Sequence, residues 1–138
     1  VHAGASGNGQ AAKLCNNMLL GISMIGTSEA FTMGEKLGLD PRTLFDIISS
    51  ASGSCWALEN HLPIPGIVDT AASNRGFKAG FAVAMMAKDL RLAQLAARSV
   101  DASTPLGSEA STLYTLFEER GNQELDYSAI IKFLEQKT

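Results

Sequence analysis

From Gln10 to Leu37 no proline interrupts a run of helix formers and apolar residues, and Gly38 follows where a C-terminal glycine cap belongs. At 1.5 Å per residue this predicts a helix roughly 40 Å long, which sets the scale of everything packed around it. Leu14, Met18, Leu19, Ile22, Met24, Ile25 and Phe31 cover more than one face of that helix, so it has to be buried on several sides. Gly21, Gly26 and Gly34 each cost up to about 1 kcal/mol against alanine in a helix. Their presence points to close helix-helix packing.

The rest of the chain reads as shorter helices. Asp40 followed by Pro41 is an N-cap with proline at the first helical position, opening Pro41 to about Ala51 with Leu44, Ile47 and Ile48 inward. CWALEN is one or two helical turns. Glu59 to Gly80 holds prolines and glycines without a sustained period, and a loop of that length in a small domain is usually functional or seals an interface. Helical patterns return over Phe81 to Val100, over Gly107 to about Arg120, and over Tyr127 to about Gln136 behind an Asp126 cap. No stretch alternates β-branched residues as a strand does. The expectation is one all-α domain of about six helices spanning residues 1–138.

Composition narrows the function. With 46% hydrophobic and 18% charged residues the chain can form a real core. Its net charge is −3 and its eleven basic residues are scattered, which argues against a nucleic-acid partner. Leu14 to Ser28 carries no formal charge, but it includes Asn16, Asn17, Ser23 and Thr27 and falls short of the ~20 apolar residues of a membrane span. Neither a secretory leader nor a membrane partner is expected. The chain starts at Val1 and enters a glycine loop at once, as a piece of a longer polypeptide would.

That loop, GASGNGQAAKLCNN, raises the question of chemistry. Gly7, Gly9 and Ala12 satisfy the G-x-G-x-x-A spacing of a dinucleotide fingerprint, but only Val1 to Ala3 precede it and Glu29, near the acidic position, sits in a helical pattern. A P-loop starting at Gly4 and Gly9 would need lysine where Gln10 stands. Both phosphate readings fail.

Lys13 and Asn17 are four residues apart, so they share a face near the start of the long helix. The partial positive charge at a helix N-terminus disfavours an extra proton on a nearby amine, which would suit Lys13 to proton transfer. The same end attracts anions through free backbone amides. The plainer alternative is a solvated surface lysine beside capping asparagines.

Lys88 falls within about 20° of Phe81 on a stripe that also holds Ala84, Met85, Leu92 and Leu95. Either its stem snorkels to water or pairs with an acid, or its ammonium meets a ligand in a cleft. Trp56, the sole tryptophan, either packs under the long loop or walls a pocket. Cys15 and Cys55 read as small buried hydrophobes in a reducing compartment, and His2 and His61 as loop histidines without an assigned role. No metal-ligand spacing is present.

The ordered set GASGNGQAAKLCNN, NNMLLGISMIGTSEA, LGLDP, SGSCW, IPG and MAKDLRLAQ covers nearly the whole chain. It resembles the second domain of the β-hydroxyacid dehydrogenases, whose motif G-x-x-G-x-G-x-x-x-K-x-x-N-N the first segment matches. The resemblance implies an all-helical C-terminal domain of the 6-phosphogluconate dehydrogenase type, preceded in the intact enzyme by a Rossmann domain that binds NAD. Lys13 then matches the catalytic lysine, which exchanges a proton with the substrate hydroxyl while hydride passes to nicotinamide. Asn17 matches the asparagine that hydrogen-bonds the substrate, with Asn16 beside it.

Trp56 and Phe81 resemble pocket-lining positions, and Lys88 matches a lysine that reaches the cofactor. Expected partners are a small hydroxy-acid substrate, the Rossmann domain of the same enzyme and further copies of the chain. The resemblance places such an enzyme in the bacterial cytoplasm or the mitochondrial matrix. The family's cofactor fingerprint and its Ser-Gly-Gly segment are absent, so this chain alone is not expected to turn over. The rival reading is a helical association module without chemistry.

Overall fold

The computed structural model describes residues 7–135 and builds them around α1 (Asn8–Lys36). It adds α2 (Pro41–Ser49), α3 (Trp56–His61), α4 (Val83–Ser99), α5 (Pro105–Phe117) and α6 (Ile130–Leu134). The all-α expectation of six helices holds, and the two β-bridges among the described residues, Lys78 with Leu125 and Ala82 with Asp126, are isolated.

Helix ends follow local chemistry. Gly38, at φ +83°, closes α1 with its N–H on the Glu35 carbonyl, and the Leu39 N–H reaches back to the Gly34 carbonyl. Only a residue that accepts the left-handed region ends a helix this way at no steric cost. The Asp40 carboxylate accepts from the Thr43 N–H at 3.0 Å and starts α2. That helix stops at Ser49, short of Ala51, and α5 begins at Pro105, two residues before Gly107. The last helical segment splits into a 3₁₀ turn at Tyr127–Ala129 and α6, while Gln136 lies outside the described residues.

The core lies where α1 crosses α4, α5 and α6, and includes Met24, Ile25, Val83, Met86, Leu90, Tyr114 and Ile130. A second cluster joins Phe31 of α1 to Leu58, Leu62 and the inner side of α2, where Leu44, Phe45 and Ile48 pack and Ile47 is left exposed. Two of the three expected close approaches occur. A Cβ on Gly21 would stand 3.1 Å from the Met86 sulfur, and one on Gly34 only 2.6 Å from Leu44, whereas Gly26 faces open space. Gly107 makes a further approach, 2.5 Å from the Met18 sulfur.

The inward face of α4 differs from the expected one. Val83, Met86, Ala87, Leu90 and Ala93 are buried, while Met85, Leu92 and Leu95 are exposed. The helix carries two apolar stripes, and the buried one fits the notch that Gly21 leaves on α1. Leu19 of α1 is likewise exposed. Cys15 is exposed rather than buried, and Cys55 is half-buried beside Thr27.

The long segment before α4 is tied down by its own side chains. The Ser73 hydroxyl donates to the Leu62 carbonyl at 2.9 Å, and Asn74 accepts from the Gly66 N–H while donating to the Val68 carbonyl. Expected as a loop over Glu59 to Gly80, this segment begins inside α3 and contains one 3₁₀ turn, Ala72–Arg75.

Candidate functional site

The exposed start of α1 carries the first candidates. Gly4 lies outside the described residues, Gly7 caps the helix at φ +93°, and Gly9 and Ala12 are already inside it. From Asn8 to Asn16 every residue is exposed except half-buried Leu14, and the first buried residue is Asn17. Lys13 is exposed one turn before Asn17.

Asn17 is fixed. Its Nδ2 donates to Asp89 Oδ2 at 2.7 Å across the α1–α4 crossing, and its Oδ1 accepts from Asn16 Nδ2 at 3.2 Å. Asp89 is a charged residue on the inner face of α4, only 7% exposed. A buried carboxylate needs a partner, and the amide of Asn17 supplies it. Sequence reasoning missed Asp89 because it took the other stripe of α4 as the inner one. On the stripe Val83, Met86, Leu90 and Ala93, Asp89 is the one acidic position.

A groove of about 530 Å³ opens on the neighbouring side of α1, lined by Asn16, Leu19, Leu20, Ser23, Cys55, Trp56 and Ala57. At 100° per residue Lys13 sits roughly midway between the helix stripe that lines this groove and the stripe that meets α4. Asn16 and Trp56 are brought together directly. Phe81 does not line the groove, but it is linked to Trp56 through a relay of rings: Trp56 to His61 at 4.6 Å, His61 to Tyr127 at 5.5 Å and Tyr127 to Phe81 at 5.7 Å, all edge to face. Lys88 stands on the outward face of α4 beside Met85 and Leu92, outside the groove.

Two residues without an assigned role in the sequence are central to this relay. His61 Nδ1 lies 2.7 Å from the Tyr127 hydroxyl, a contact between positions 66 apart. Burial lowers the His61 pKa from its ordinary value, against a smaller upward pull from Asp126. Burial also drives the Tyr127 hydroxyl far above the usual phenol range, helped by the charge of Asp126. The Asp126 carboxylate in turn accepts from the N–H groups of Gly80 and Phe81, both at 3.0 Å, and from the N–H and hydroxyl of Ser128. The Phe81 carbonyl accepts from the Tyr127 N–H at 2.7 Å, so the entry to α4 is pinned on both sides.

Chemically, the region offers one exposed amine, a pair of amides of which one is locked, and an apolar wall. Among the described residues no three His, Cys, Asp or Glu side chains are grouped to hold a metal ion. No helix among them is long and apolar enough to cross a membrane.

Residues 7–134 match the family model described as "NAD-binding of NADP-dependent 3-hydroxyisobutyrate dehydrogenase". The chain belongs to the 3-hydroxyisobutyrate dehydrogenase family. It is 48% identical over 134 residues to a probable 3-hydroxyisobutyrate dehydrogenase of Mycobacterium tuberculosis, covering 97% of this chain and 45% of that protein. To the mitochondrial 3-hydroxyisobutyrate dehydrogenase of Homo sapiens it is 45% identical, covering 99% of this chain and 41% of the relative. The chain thus spans under half the length of these relatives.

Among solved structures, the Mycobacterium tuberculosis 3-hydroxyisobutyrate dehydrogenase with L-serine superposes with a TM-score of 0.94 at 48% identity, over 97% of this chain and 46% of that one. The 3-hydroxyisobutyrate dehydrogenase of Salmonella typhimurium gives 0.80 at 25% identity, over 92% and 42%.

Proposed function

We propose that this chain is the C-terminal helical domain of an NAD-dependent dehydrogenase that oxidises 3-hydroxyisobutyrate to methylmalonate semialdehyde. The observation that carries the reading is the junction on α1. Lys13 is exposed between the groove stripe and the α4 stripe, and Asn17 one turn further is locked by Asp89.

In this reading Lys13 Nζ takes up the proton of the substrate hydroxyl, so that negative charge does not build on the oxygen as the carbonyl forms. Asn16 and Asn17 hold the substrate by their amides. Asn17 already has one amide N–H committed to Asp89, which leaves its orientation fixed before substrate arrives. Trp56 walls the side of the groove where the substrate's carbon chain lies, and Phe81 braces that wall through Tyr127 and His61.

The nicotinamide cofactor, when bound, accepts the hydride. This chain's contribution to holding it fits an anionic dinucleotide: Lys88 is an exposed ammonium group with exposed Met85 one turn before it as an apolar ledge. The other contacts to the cofactor belong to the Rossmann domain, the partner of this chain in the intact enzyme.

A close variant acts on tartronate semialdehyde or another small 3-hydroxy acid. The L-serine in the name of the mycobacterial structure, itself a 3-hydroxy acid, favours that breadth. One changed pocket contact shifts such preferences by about 1 to 3 kcal/mol. A separate observation, the outward exposure of Leu92 and Leu95 on α4, favours an additional role in homo-oligomerisation.

The test is activity in trans. The chain is mixed with the nicotinamide-binding domain of a relative, NAD and 3-hydroxyisobutyrate, and reduced nicotinamide is followed by absorbance. Turnover that disappears with Lys13→Ala, in a variant of unchanged melting temperature, supports the reading. Turnover indifferent to Lys13→Ala, or none from folded and associated domains, refutes it in favour of an association module.

A further inference from the structure

Trp56 is the first residue of a helix only six residues long and its side chain is 58% exposed, so core packing does not hold it. Its edge contact is with His61, at 4.6 Å and 78°. An imidazole that is itself half-buried would swing about its own side-chain bonds, and what stops it is the 2.7 Å contact of Nδ1 with the Tyr127 hydroxyl. Tyr127 is fully buried and held by its own backbone, whose N–H donates to Phe81 and whose carbonyl accepts from the Tyr114 hydroxyl at 2.9 Å. Fixed geometry therefore passes outward from the core, through one hydroxyl and one imidazole, to the indole that walls the groove.

A phenylalanine at 127 would fill the same space and keep the ring contacts with His61 and Phe81. The hydroxyl is needed only to hold the imidazole. We propose that His61, locked by Tyr127, is a positioning residue that fixes Trp56 as the wall of the groove between α1 and α3 and thereby sets how tightly the hydroxy acid's carbon chain is held.

The proton arrangement agrees with this role. Tyr127 keeps its proton because burial opposes the phenolate, so its hydroxyl is able to donate to Nδ1 of an imidazole that carries its hydrogen on Nε2. A protonated His61 would present N–H to a hydroxyl that then has to turn its own proton elsewhere, in keeping with the downward shift that burial gives the imidazole. The kinetic part of the proposal rests on the functional reading above, and the spectroscopic part does not.

The experiment uses Tyr127→Phe, which removes one oxygen and leaves the ring. Trp56 is the sole tryptophan, so its fluorescence anisotropy and quenching by iodide report this side chain alone. The expected result is lower anisotropy and faster quenching in the variant at unchanged helical content. In the chain assembled with the nicotinamide-binding domain, KM for 3-hydroxyisobutyrate should rise roughly five-fold with kcat within about two-fold, the pattern of lost uniform binding.

His61→Gln, a change at a half-buried position, should give the same pattern, and it decides the matter should Tyr127→Phe fail to fold. A Trp56 signal unchanged in the variants overturns the proposal. So does a Trp56 that is freed while KM stays the same. If the assembled wild type shows no turnover, the functional reading fails, and the fluorescence comparison then judges the positioning of Trp56 on its own.

Discussion

Replacing Asn17 by alanine should cost more than the loss of a polar residue near a helix start usually does, because one of its two hydrogen bonds goes to a buried carboxylate. The amide donates at 2.7 Å to Asp89 Oδ2, and both partners are more than nine-tenths buried. Asn17→Ala leaves the carboxylate without its amide in a site that admits little water. A hydrogen bond to a charged group contributes about 1.5 to 3 kcal/mol, and stranding the charge places the cost toward the upper end. For a chain of 138 residues the unfolding entropy is about 0.29 kcal/mol/K, so the melting temperature should fall by roughly 7 to 10 °C.

Circular dichroism at 222 nm and neutral pH measures it. Asn17→Asp adds a diagnostic sign. Two carboxylates at hydrogen-bond distance raise the folded pKa of one of them above its unfolded value of about 3.9, so this variant should be least stable at neutral pH and recover as pH falls toward 4. A loss of under about 2 °C for Asn17→Ala, or an Asn17→Asp variant that does not regain stability in acid, would refute the idea that this pair joins α1 to α4.

Opposite outcomes are expected at two glycines: Gly26→Ala, exposed in mid-helix with nothing near its Cβ, should stabilise by up to about 1 kcal/mol, and Gly107→Ala should destabilise by about 1 to 3 kcal/mol. The second change drives a methyl to 2.5 Å from the Met18 sulfur and 2.7 Å from Gln94 Nε2, and urea titration of both variants gives the comparison. Because burial depresses the His61 pKa, the unfolded chain binds more protons than the folded one below about pH 6.5, so stability should drop as pH falls through that value and His61→Gln should flatten the slope. Tyr127 and Tyr114, both raised, should make stability fall above about pH 10, where the unfolded phenols ionise and the folded ones do not.

Local chemistry made the elements legible. The proline-free run, Gly38, the Asp40 cap and the Asp126 cap each act over three or four residues, and each appears in the structure where the sequence put it. The face of α4 was not legible, since Met85, Leu92 and Leu95 are as apolar as Met86, Leu90 and Ala93. The choice between them depends on a side chain that Gly21 lacks, on another helix. The same gap hid Asp89. Lys13 and Asn17 share a face by spacing alone, but nothing local relates His61 to Tyr127, or through them Trp56 to Phe81, because those contacts exist only after the last turns of the chain fold back onto the entry to α4.

The burial boundary at Asn17 divides α1 into two kinetic regimes. The amides of residues 11 to 16 are bonded within a helix that packs little of their side chains, so each is released by fraying of the terminal turns, an opening that leaves the rest of the fold intact. From Asn17 to Phe31 the same helix is anchored in the core by the face that carries Asn17, Gly21, Met24, Ile25, Ser28 and Phe31, and its amides should exchange with solvent mainly when the domain opens. Deuterium uptake should therefore step down within a single turn of helix. Lys13 sits on the fast side of that step and Asn17 on the slow side, which gives the helix a free end able to adjust to whatever docks on it and a register that does not slip.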